Sequence, residues 1–350
     1  MTIAEDTNVP PPKVAALLTK IAEAPGVSRP RVLITDSDGS PLLDWGDTTL
    51  PVIVTGVTKL ITIAMILREF DRGAMAPDTP VSELLHEDVL AGLCVVRNHD
   101  YSPTLTVEQL MSHRSGIVDF LEPPAKNVRS VFGQALIRDR SWTLDQALEI
   151  AKHYPGLFPP GATRKVHYSN TNYVLLGAIL QESTGMTFEQ LVNLRVVTSL
   201  GLKNTYVFTP SHADRYFSLA PLHRGSEVLR LPRVLGSLGA AGGLVTTAQE
   251  MARFLRAFWS DELFGPQWRD YLTAEPLRME KGLRMARGVM MPSRPSGTSR
   301  MVGQAGATGS AALIDPSTGM VGVMALNHLA SRAGTLSSLA TLMKTLQRSL

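Results

Sequence analysis

Apolar residues recur along the chain with two different spacings, one typical of helices and one typical of strands. Val14–Ala24 has the three- and four-residue spacing of an amphipathic helix. Two strand-like runs follow, Arg31–Thr35 and Pro41–Trp45, and the turn-forming residues 36–39 between them predict a β-hairpin. A long and strongly apolar helix is then predicted from Thr55 to Phe70.

Helical patterns dominate the middle of the chain, where loops rich in proline and glycine join them. The predicted helices are Thr106–Ser112, Leu144–His153, Tyr173–Glu182, Thr187–Thr198 and Ala248–Trp259. Strand patterns return near the C-terminus, at Ser310–Ile314 and Val321–Asn327, before a last predicted helix over 336–346. Strands at both ends and helices between them predict an α/β protein of the α+β type. We expect an antiparallel sheet built from the two chain ends, with an inserted helical region beside it.

Composition and charge narrow the possible functions. Hydrophobic residues make up 44% and charged residues 19%, as in an ordinary globular protein with a sizeable core. The net charge is only +3, and arginines such as Arg224, Arg230 and Arg233 lie dispersed among apolar residues, so we expect no nucleic-acid partner. We also expect no membrane partner and a cytoplasmic location, because no run reaches the roughly 18 apolar residues of a membrane span and the first residues lack a secretory pattern.

The first motif with chemical potential is Thr55-Gly56-Val57-Thr58-Lys59, which opens the long apolar helix. Lys59 lies about one helical turn after Gly56, so its side chain projects near that position. A serine at position 56 could give its proton to a neutral lysine, and the helix N-terminus would favour the negative charge. On its own, Gly-x-x-Lys indicates no more than a solvated lysine.

Two further motifs are ambiguous when taken singly. In Tyr168-Ser169-Asn170 the phenol could relay a proton and the amide could bind a substrate amide, but a helix capped by Ser169 or Asn170 explains the tripeptide equally well. Residues 303–310 are small, so a substrate could lie against a strand edge there with a backbone N–H directed at an oxyanion. A glycine-rich turn before a strand is the alternative.

The order and the flanking sequence of these motifs resemble the serine β-lactamase family. The segments that carry the resemblance are 56–84, 105–116, 160–206 and 239–255. The resemblance is strongest to class C β-lactamases and to the esterases, D-alanyl-D-alanine carboxypeptidases and transacylases that share their fold. It extends from about residue 25 to the end of the chain.

This resemblance implies a β-lactamase/transpeptidase-like fold in two parts. A sheet subdomain would comprise residues 12–80 and 285–350, and a mainly helical subdomain would comprise residues 81–284, with the active-site cleft between them. Lys59 matches the family's motif lysine, and Tyr168 matches its proton-relay tyrosine.

Asn170 matches the motif asparagine, and we interpret His113 as structural support for a turn. Gln304, Ala305 and Gly306 align with the family's strand motif, which binds substrate.

Two backbone N–H groups complete the implied catalytic set. The family's oxyanion hole uses the N–H of the nucleophile position and of the residue after the strand motif, which are Gly56 and Ala307 here. The implied catalytic residues are therefore Gly56, Lys59, Tyr168, Asn170 and Ala307.

Gly56 is the first departure from the family pattern, because it stands where the nucleophilic serine belongs. No side chain remains there to form an acyl-enzyme. Thr55 is rotated by about 100° around the helix start and Thr58 is expected to point away, so neither is a convincing replacement. Either the serine has been replaced in this form of the protein, or the natural protein lacks it.

Gln304 is the second departure, because the family usually has a lysine or histidine there. A neutral amide pairs poorly with a substrate carboxylate, which argues against β-lactam and D-Ala-D-Ala substrates. The expected substrate is a small-molecule or carrier-bound acyl compound.

Three functions fit this pattern. The first is an acyl-transfer enzyme (an esterase, amidase or transacylase) whose active form carries serine at position 56. The second is a binding protein that uses the old cleft without turnover. The third is a non-covalent catalyst with Lys59 and Tyr168 as base and acid.

Other chemistry finds little support in the sequence. Cys94 is the only cysteine, so no internal disulfide can form, and the histidines lack the His-x-x-x-His spacing of a metal site. Neither a phosphate-binding loop nor a dinucleotide fingerprint is present, so we expect no cofactor. The glycine cluster Gly236–Gly243 is interpreted as a turn beside the cleft.

Overall fold

The computed structural model describes residues 10–124, 130–294, 297–298 and 300–350. In chain order the strands are β1 Arg31–Thr35, β2 Pro41–Trp45, β3 Val52–Ile53, β4 Val95–Val96, β5 His99–Asp100, β6 Tyr206–Val207, β7 Leu222–Arg224, β8 Glu227–Leu229, β9 Leu244–Thr246, β10 Leu277–Glu280, β11 Leu283–Met285, β12 Met290–Arg294, β13 Gly297–Thr298, β14 Val302–Gly306, β15 Ser310–Ile314 and β16 Val321–Ala325.

The helices surround these strands. They are α1 Pro12–Ala22, α2 Thr58–Asp71, α3 Glu87–Leu90, α4 Val107–Met111, α5 Val131–Ala135, α6 Leu144–Lys152, α7 Asn170–Thr184, α8 Phe188–Val192, α9 Pro232–Gly242, α10 Ala248–Trp259, α11 Gln267–Thr273 and α12 Arg332–Gln347. A π-helical segment, Asn193–Thr198, continues α8, and 3₁₀ turns lie at Thr55–Val57, Val81–Glu83, Ser102–Thr104 and Pro210–Ser218.

An antiparallel sheet of nine strands, counted over the described residues, joins the two ends of the chain. Its order is β10-β11-β12-β14-β15-β16-β1-β2, with β13 paired to β12. The junction is the pairing of β1 with β16, from Arg31 opposite Ala325 to Thr35 opposite Val321. The predicted sheet of both chain ends is thus confirmed.

Alternation along the strands buries both faces of this sheet. Val32 and Ile34 pack against α1 and α12, while Leu33 between them faces the other way, toward the core around α2 and α10. Successive residues of a strand point to opposite faces of the sheet, and here helices cover both faces. The same rule decides which residues of β14 face the site described below.

Helix α2 is buried on almost every side. Of its residues 58–70, only Arg68 is not buried. A helix with apolar residues on every side belongs in the centre of a protein. It packs against α7, α9 and β14, and a 3₁₀ turn, Thr55–Val57, leads into it. The predicted helix over 55–70 is therefore confirmed, with its first turn wound more tightly.

Two glycine-rich segments differ from their expected structure. Gly236–Gly243 was expected to form a turn, but it lies within α9 and at its end, where Gly239 (φ +45°, ψ −128°) kinks the helix. The kink lets Ala240 approach Gly177 of α7. Residues 303–306 form strand β14 itself and not a turn before a strand.

The subdomain division stays a prediction. Strands β10 and β11 lie almost entirely within the segment expected to be mainly helical, yet they belong to the large sheet. No helix of the described chain has the length and apolar character needed to cross a bilayer.

A buried ion pair holds α2 against the helices beside it and gives the first test. Glu69 is buried, pairs with Arg195, and accepts a hydrogen bond from the Ser183 hydroxyl at 3.1 Å. We expect Arg195→Met to lower the free energy of unfolding by about 3–5 kcal/mol in urea titrations, because it leaves a buried carboxylate without its main partner. Arg72→Met is the matched control: Arg72 contacts the same carboxylate from an exposed position, so the loss should be about 1 kcal/mol or less. Equal losses in the two variants would contradict this explanation.

Candidate active site

Four segments meet at the N-terminus of α2. They are the 3₁₀ turn Thr55–Val57, the loop that leads into α7, the end of β14, and the C-terminal half of α9. Between them opens a cleft of about 370 Å³. Gly56, Tyr168, Asn170 and Ala307 of the predicted site line this cleft, and Lys59 lies directly beneath it.

The Lys59 ammonium group is fully buried and held by two acceptors. Its Nζ donates to Asn170 Oδ1 at 2.8 Å and to the Ala241 carbonyl at 2.6 Å. The Tyr168 ring centroid lies 4.9 Å away. Burial lowers the pKa of Lys59 to about 7, although the Asp119 carboxylate opposes this shift. A substantial fraction of Lys59 is therefore a neutral amine near neutral pH.

Asp119 belongs to the same network, and the sequence analysis missed it. Its carboxylate accepts from the Asn170 backbone N–H at 3.2 Å, from Asn170 Nδ2 at 3.0 Å and from the Leu121 N–H at 3.1 Å. Burial raises the pKa of Asp119 to about 6, against the effect of these hydrogen bonds and of Lys59. Asn170 thus links the Asp119 carboxylate to the Lys59 amine through its side-chain hydrogen bonds. A single acidic residue in a loop has no spacing pattern that could have indicated this role.

The phenol of Tyr168 lies between two aromatic-face contacts. The Arg332 guanidinium stands 4.0 Å from its ring centroid, and the His113 ring stacks at 4.6 Å. Burial raises the pKa of Tyr168 to about 12, and Arg332 works in the opposite direction. Arg332 is the first residue of α12 and lines the cleft. Sequence reasoning missed it because it lies far from every motif.

His113 supports the loop rather than the cleft. It adopts a left-handed conformation (φ +57°), its carbonyl accepts from the His167 N–H, and its Nδ1 accepts from the Ser169 N–H at 3.1 Å. Burial holds the pKa of His113 well below its usual value. A neutral ring with an accepting Nδ1 fixes the backbone on which Tyr168 and Asn170 stand.

Gly56 is in tight backbone contact with β14. A Cβ atom at residue 56 would lie 2.4 Å from the Ala305 carbonyl oxygen, 3.2 Å from Gly306 Cα and 3.2 Å from the Tyr168 hydroxyl. A Cβ at Gly306 would in turn lie 2.3 Å from Thr55 Oγ1. The strand and the turn therefore approach each other at a distance that only glycine allows on both sides.

The three residues predicted to bind substrate are not among those that line the cleft, and their role stays a prediction. Gln304 faces the α2 side of the sheet, but its buried amide donates to the Gly288 carbonyl at 3.0 Å. Ala305 alternates to the opposite face and packs in the core beneath α12. Gly306 contacts the 3₁₀ turn through its backbone. The strand reaches the cleft only at its end, through Ala307 and Thr308.

The remaining walls of the cleft are largely apolar. They include Phe132, Leu231, Val234, Leu235, Leu238 and Leu329. Arg332, Asp119, Tyr168 and Asn170 form one polar end, and the carboxylates Glu122 and Glu280 and the ring of His167 also line the cleft. Such a site suits a small molecule with an apolar body and one polar group.

Curated proteins of known name match part of this chain. A penicillin-binding protein 4 from Amycolatopsis lactamdurans is 28% identical over 225 residues, which cover 61% of this chain and 52% of that protein. The esterase EstB from Burkholderia gladioli is 30% identical over 177 residues, which cover 49% of this chain and 41% of the esterase. The chain spans about half the length of these curated relatives.

A solved structure supports the fold over nearly the whole chain. The D-stereospecific amidohydrolase from Streptomyces sp. superposes with a TM-score of 0.72 at 24% identity, covering 91% of this chain and 95% of that chain. At this identity the likeness establishes the fold alone. The family profile described as Beta-lactamase matches residues 53–340, most of the chain. The chain therefore belongs to the β-lactamase family, whose members are serine hydrolases.

Proposed function

We propose that this chain is a ligand-binding member of its family, which holds an acyl-bearing small molecule in the cleft without forming an acyl-enzyme. The contact at Gly56 carries the proposal. The Ala305 carbonyl lies 2.4 Å from the point where a Cβ at residue 56 would stand, so β14 would have to move before a serine could fit. Backbone atoms of a central strand move less easily than a flexible side chain. Residue 56 thus lacks a nucleophilic side chain, and the backbone of β14 leaves no space for one.

The polar end of the cleft indicates the chemistry of the ligand. Arg332 forms no ion pair with any residue that the structure describes, and its Nε has no hydrogen-bond partner among them. A guanidinium in that state favours a carboxylate or another strongly accepting oxygen. The sequence argument against carboxylate ligands depended on the neutral Gln304. Arg332 supplies a cation to the same cleft from a different element.

Lys59 has a positioning role in this proposal. Its two hydrogen bonds connect the start of α2 to Asn170 of α7 and to Ala241 of α9. These are the elements that form the polar end and the apolar wall of the cleft. Keeping Lys59, Tyr168 and Asn170 therefore has a structural benefit even when no serine is activated.

A covalent acyl-transfer enzyme is the second candidate, and the convergence of groups around Gly56 favours it. With serine at position 56, a neutral Lys59 would take the hydroxyl proton and Tyr168 would pass a proton to the leaving group. The N–H groups of Gly56 and Ala307 would hold the oxyanion. Esterase, amidase and transacylase activities all fit this scheme, and a small-molecule or carrier-bound acyl compound would be its substrate.

The first test of ligand binding uses 4-phenylbutyrate, which combines an apolar body with a carboxylate. We expect the protein to bind it in isothermal titration calorimetry, and we expect Arg332→Gln to weaken binding about tenfold because the anion loses its cation. Arg348→Gln, at the far end of α12, is the matched control and should bind as the unaltered protein does. If the Arg332 variant bound 4-phenylbutyrate as tightly as the unaltered protein, Arg332 would not be the residue that binds the anion.

The second test measures acylation and stability at Gly56. Intact-mass spectrometry with the p-nitrophenyl ester of 4-phenylbutyrate should show no added mass for either the unaltered protein or Gly56→Ser. Gly56→Ala should lower the free energy of unfolding by about 1–3 kcal/mol, because the added methyl group overpacks against β14. Gly236→Ala is the control, since its new Cβ meets only ordinary contacts at 3.4 Å. A burst and a stable acyl adduct in Gly56→Ser would establish the second candidate instead.

The third test concerns the charge state of Lys59. Its pKa is lowered from 10.5 to about 7, so the unfolded chain binds more protons than the folded chain between these pH values. Stability should therefore rise as the pH increases from 7 to 9, and Lys59→Met should remove that rise. Unfolding free energies from urea titrations at the two pH values give the difference. Lys20→Met, at an exposed site, should keep the slope; a Lys59 variant with the original slope would show that Lys59 is not the group responsible.

A further inference from the structure

A basic and partly apolar rim is formed by segments that line the cleft or adjoin residues that do. We define this rim as residues 136–140 and 214–233. Three large apolar side chains in it are strongly exposed: Phe217 at 76%, Ile137 at 62% and Val228 at 48%. Each is close in sequence to a residue that lines the cleft, namely Tyr216, Phe132 and Leu231. The segments that carry these exposed groups therefore adjoin residues of the cleft in the chain.

Hydrogen bonds tie these segments of the rim to one another. The Tyr216 hydroxyl accepts from the Leu231 N–H at 2.7 Å, next to the exposed Phe217. The Asp139 carboxylate accepts from the N–H groups of Arg233 and Val234, each at 2.9 Å, and so fixes the segment that carries Ile137.

The hairpin β7–β8, which carries Val228, is joined to the end of the large sheet. His223 donates its N–H to the Asn327 carbonyl at 2.9 Å and accepts from the Leu329 N–H at 3.0 Å. The rim is therefore a built surface rather than a set of independent loops.

Its charge is strongly positive for its size. The rim contains six arginines against three carboxylates. The exposed arginines are Arg138, Arg140, Arg215, Arg224, Arg230 and Arg233. Asp139 is directed at the start of α9 and Glu227 pairs with Arg224, which leaves the exposed Asp214 against five arginines. Arg230 lies 5.9 Å from the Phe217 ring, which places a cation beside the most exposed aromatic group.

We infer that this rim docks on the surface of an anionic lipid assembly, with Phe217, Val228 and Ile137 among the headgroups and the arginines on lipid phosphates. Apolar groups flanked by cations are the usual basis of peripheral lipid binding. Residues of the same segments, Tyr216 and Leu231, line the cleft, and ligands with an apolar body partition into lipid. The expectation of no membrane partner depended on the lack of a spanning segment, which a peripheral contact does not require. This inference concerns a different surface from the proposed anion site and does not rest on it.

Vesicle sedimentation tests the inference with the full chain. The protein should sediment with vesicles of phosphatidylcholine containing about one-third phosphatidylglycerol, and at least about tenfold less with phosphatidylcholine alone. About 0.5 M NaCl should weaken the binding. The double variants Phe217→Ser/Val228→Ser and Arg230→Gln/Arg233→Gln should each lower the partition coefficient about fivefold or more.

Leu194→Ser is the matched control. Leu194 is 53% exposed on the π-helical segment, away from the cleft, and its loss should leave vesicle binding unchanged. No preference for anionic vesicles, or rim variants that bind as the unaltered protein does, would overturn the inference. Binding to soluble polyglutamate as strong as binding to vesicles would assign the rim to an acidic protein and overturn it as well. Binding of 4-phenylbutyrate without vesicles reports on the cleft separately, so either proposal can fail while the other stands.

Discussion

The backbone contact between β14 and the turn before α2 is the constraint on which the site depends. Gly56 and Gly306 let the strand and the turn approach until a side chain at either position would collide with backbone or side-chain oxygen. Thr55, held at φ +33°, and the buried Ser310 hydroxyl, which donates to the Val54 carbonyl at 2.8 Å, hold the turn in that position. A strained residue is retained only where its surroundings fix it. The same contact that orders this end of the cleft also leaves no room for a side chain at residue 56.

Beneath that contact, a buried polar chain orients the walls of the cleft. Asp119, Asn170 and Lys59 are joined by hydrogen bonds, and Lys59 ends the chain on the Ala241 carbonyl of α9. Buried polar groups are costly unless they are paired, so each member requires the others. Asp119 and Lys59 each favour the ionised form of the other, but burial opposes the ionisation of both. The pKa of Lys59 therefore stays lowered and the pKa of Asp119 stays raised. The result is a rigid polar floor whose protonation changes close to neutral pH.

Local patterns predicted the regular elements well. The bounds of β1, β2, β15 and α10 agree with the strands and helix expected from alternation and from the three- and four-residue spacing. Strands β10 and β11 were not predicted; β10 lies at the sheet edge with Arg278 and Glu280 exposed, and β11 beside it has only three residues. The helical form of Gly236–Gly242 was also missed, because packing against α2 and α7 outweighs the low helix propensity of glycine.

The site itself was only partly predictable. Lys59, Tyr168 and Asn170 could be found because the order and the flanking sequence of their motifs resemble the family, and the structure places them together. Asp119 and Arg332 could not, since long-range folding alone brings them to Tyr168. Gln304 shows the converse: its motif position was clear, but the rotation of its amide toward Gly288 depends on a neighbouring strand connection.

In the proposed anion site, Arg332 of α12 supplies the cation that the neutral Gln304 of β14 does not. Residue 304 is fully buried on the α2 side of β14, where the Gln304 amide donates to the Gly288 carbonyl. A neutral amide at 304 avoids the cost of burying a lysine ammonium group there. Arg332, half-buried at the start of α12, reaches the open cleft and the face of Tyr168. An anion would therefore be bound from the α12 side, beside the tyrosine ring, and not along β14, where the family's strand motif would place it.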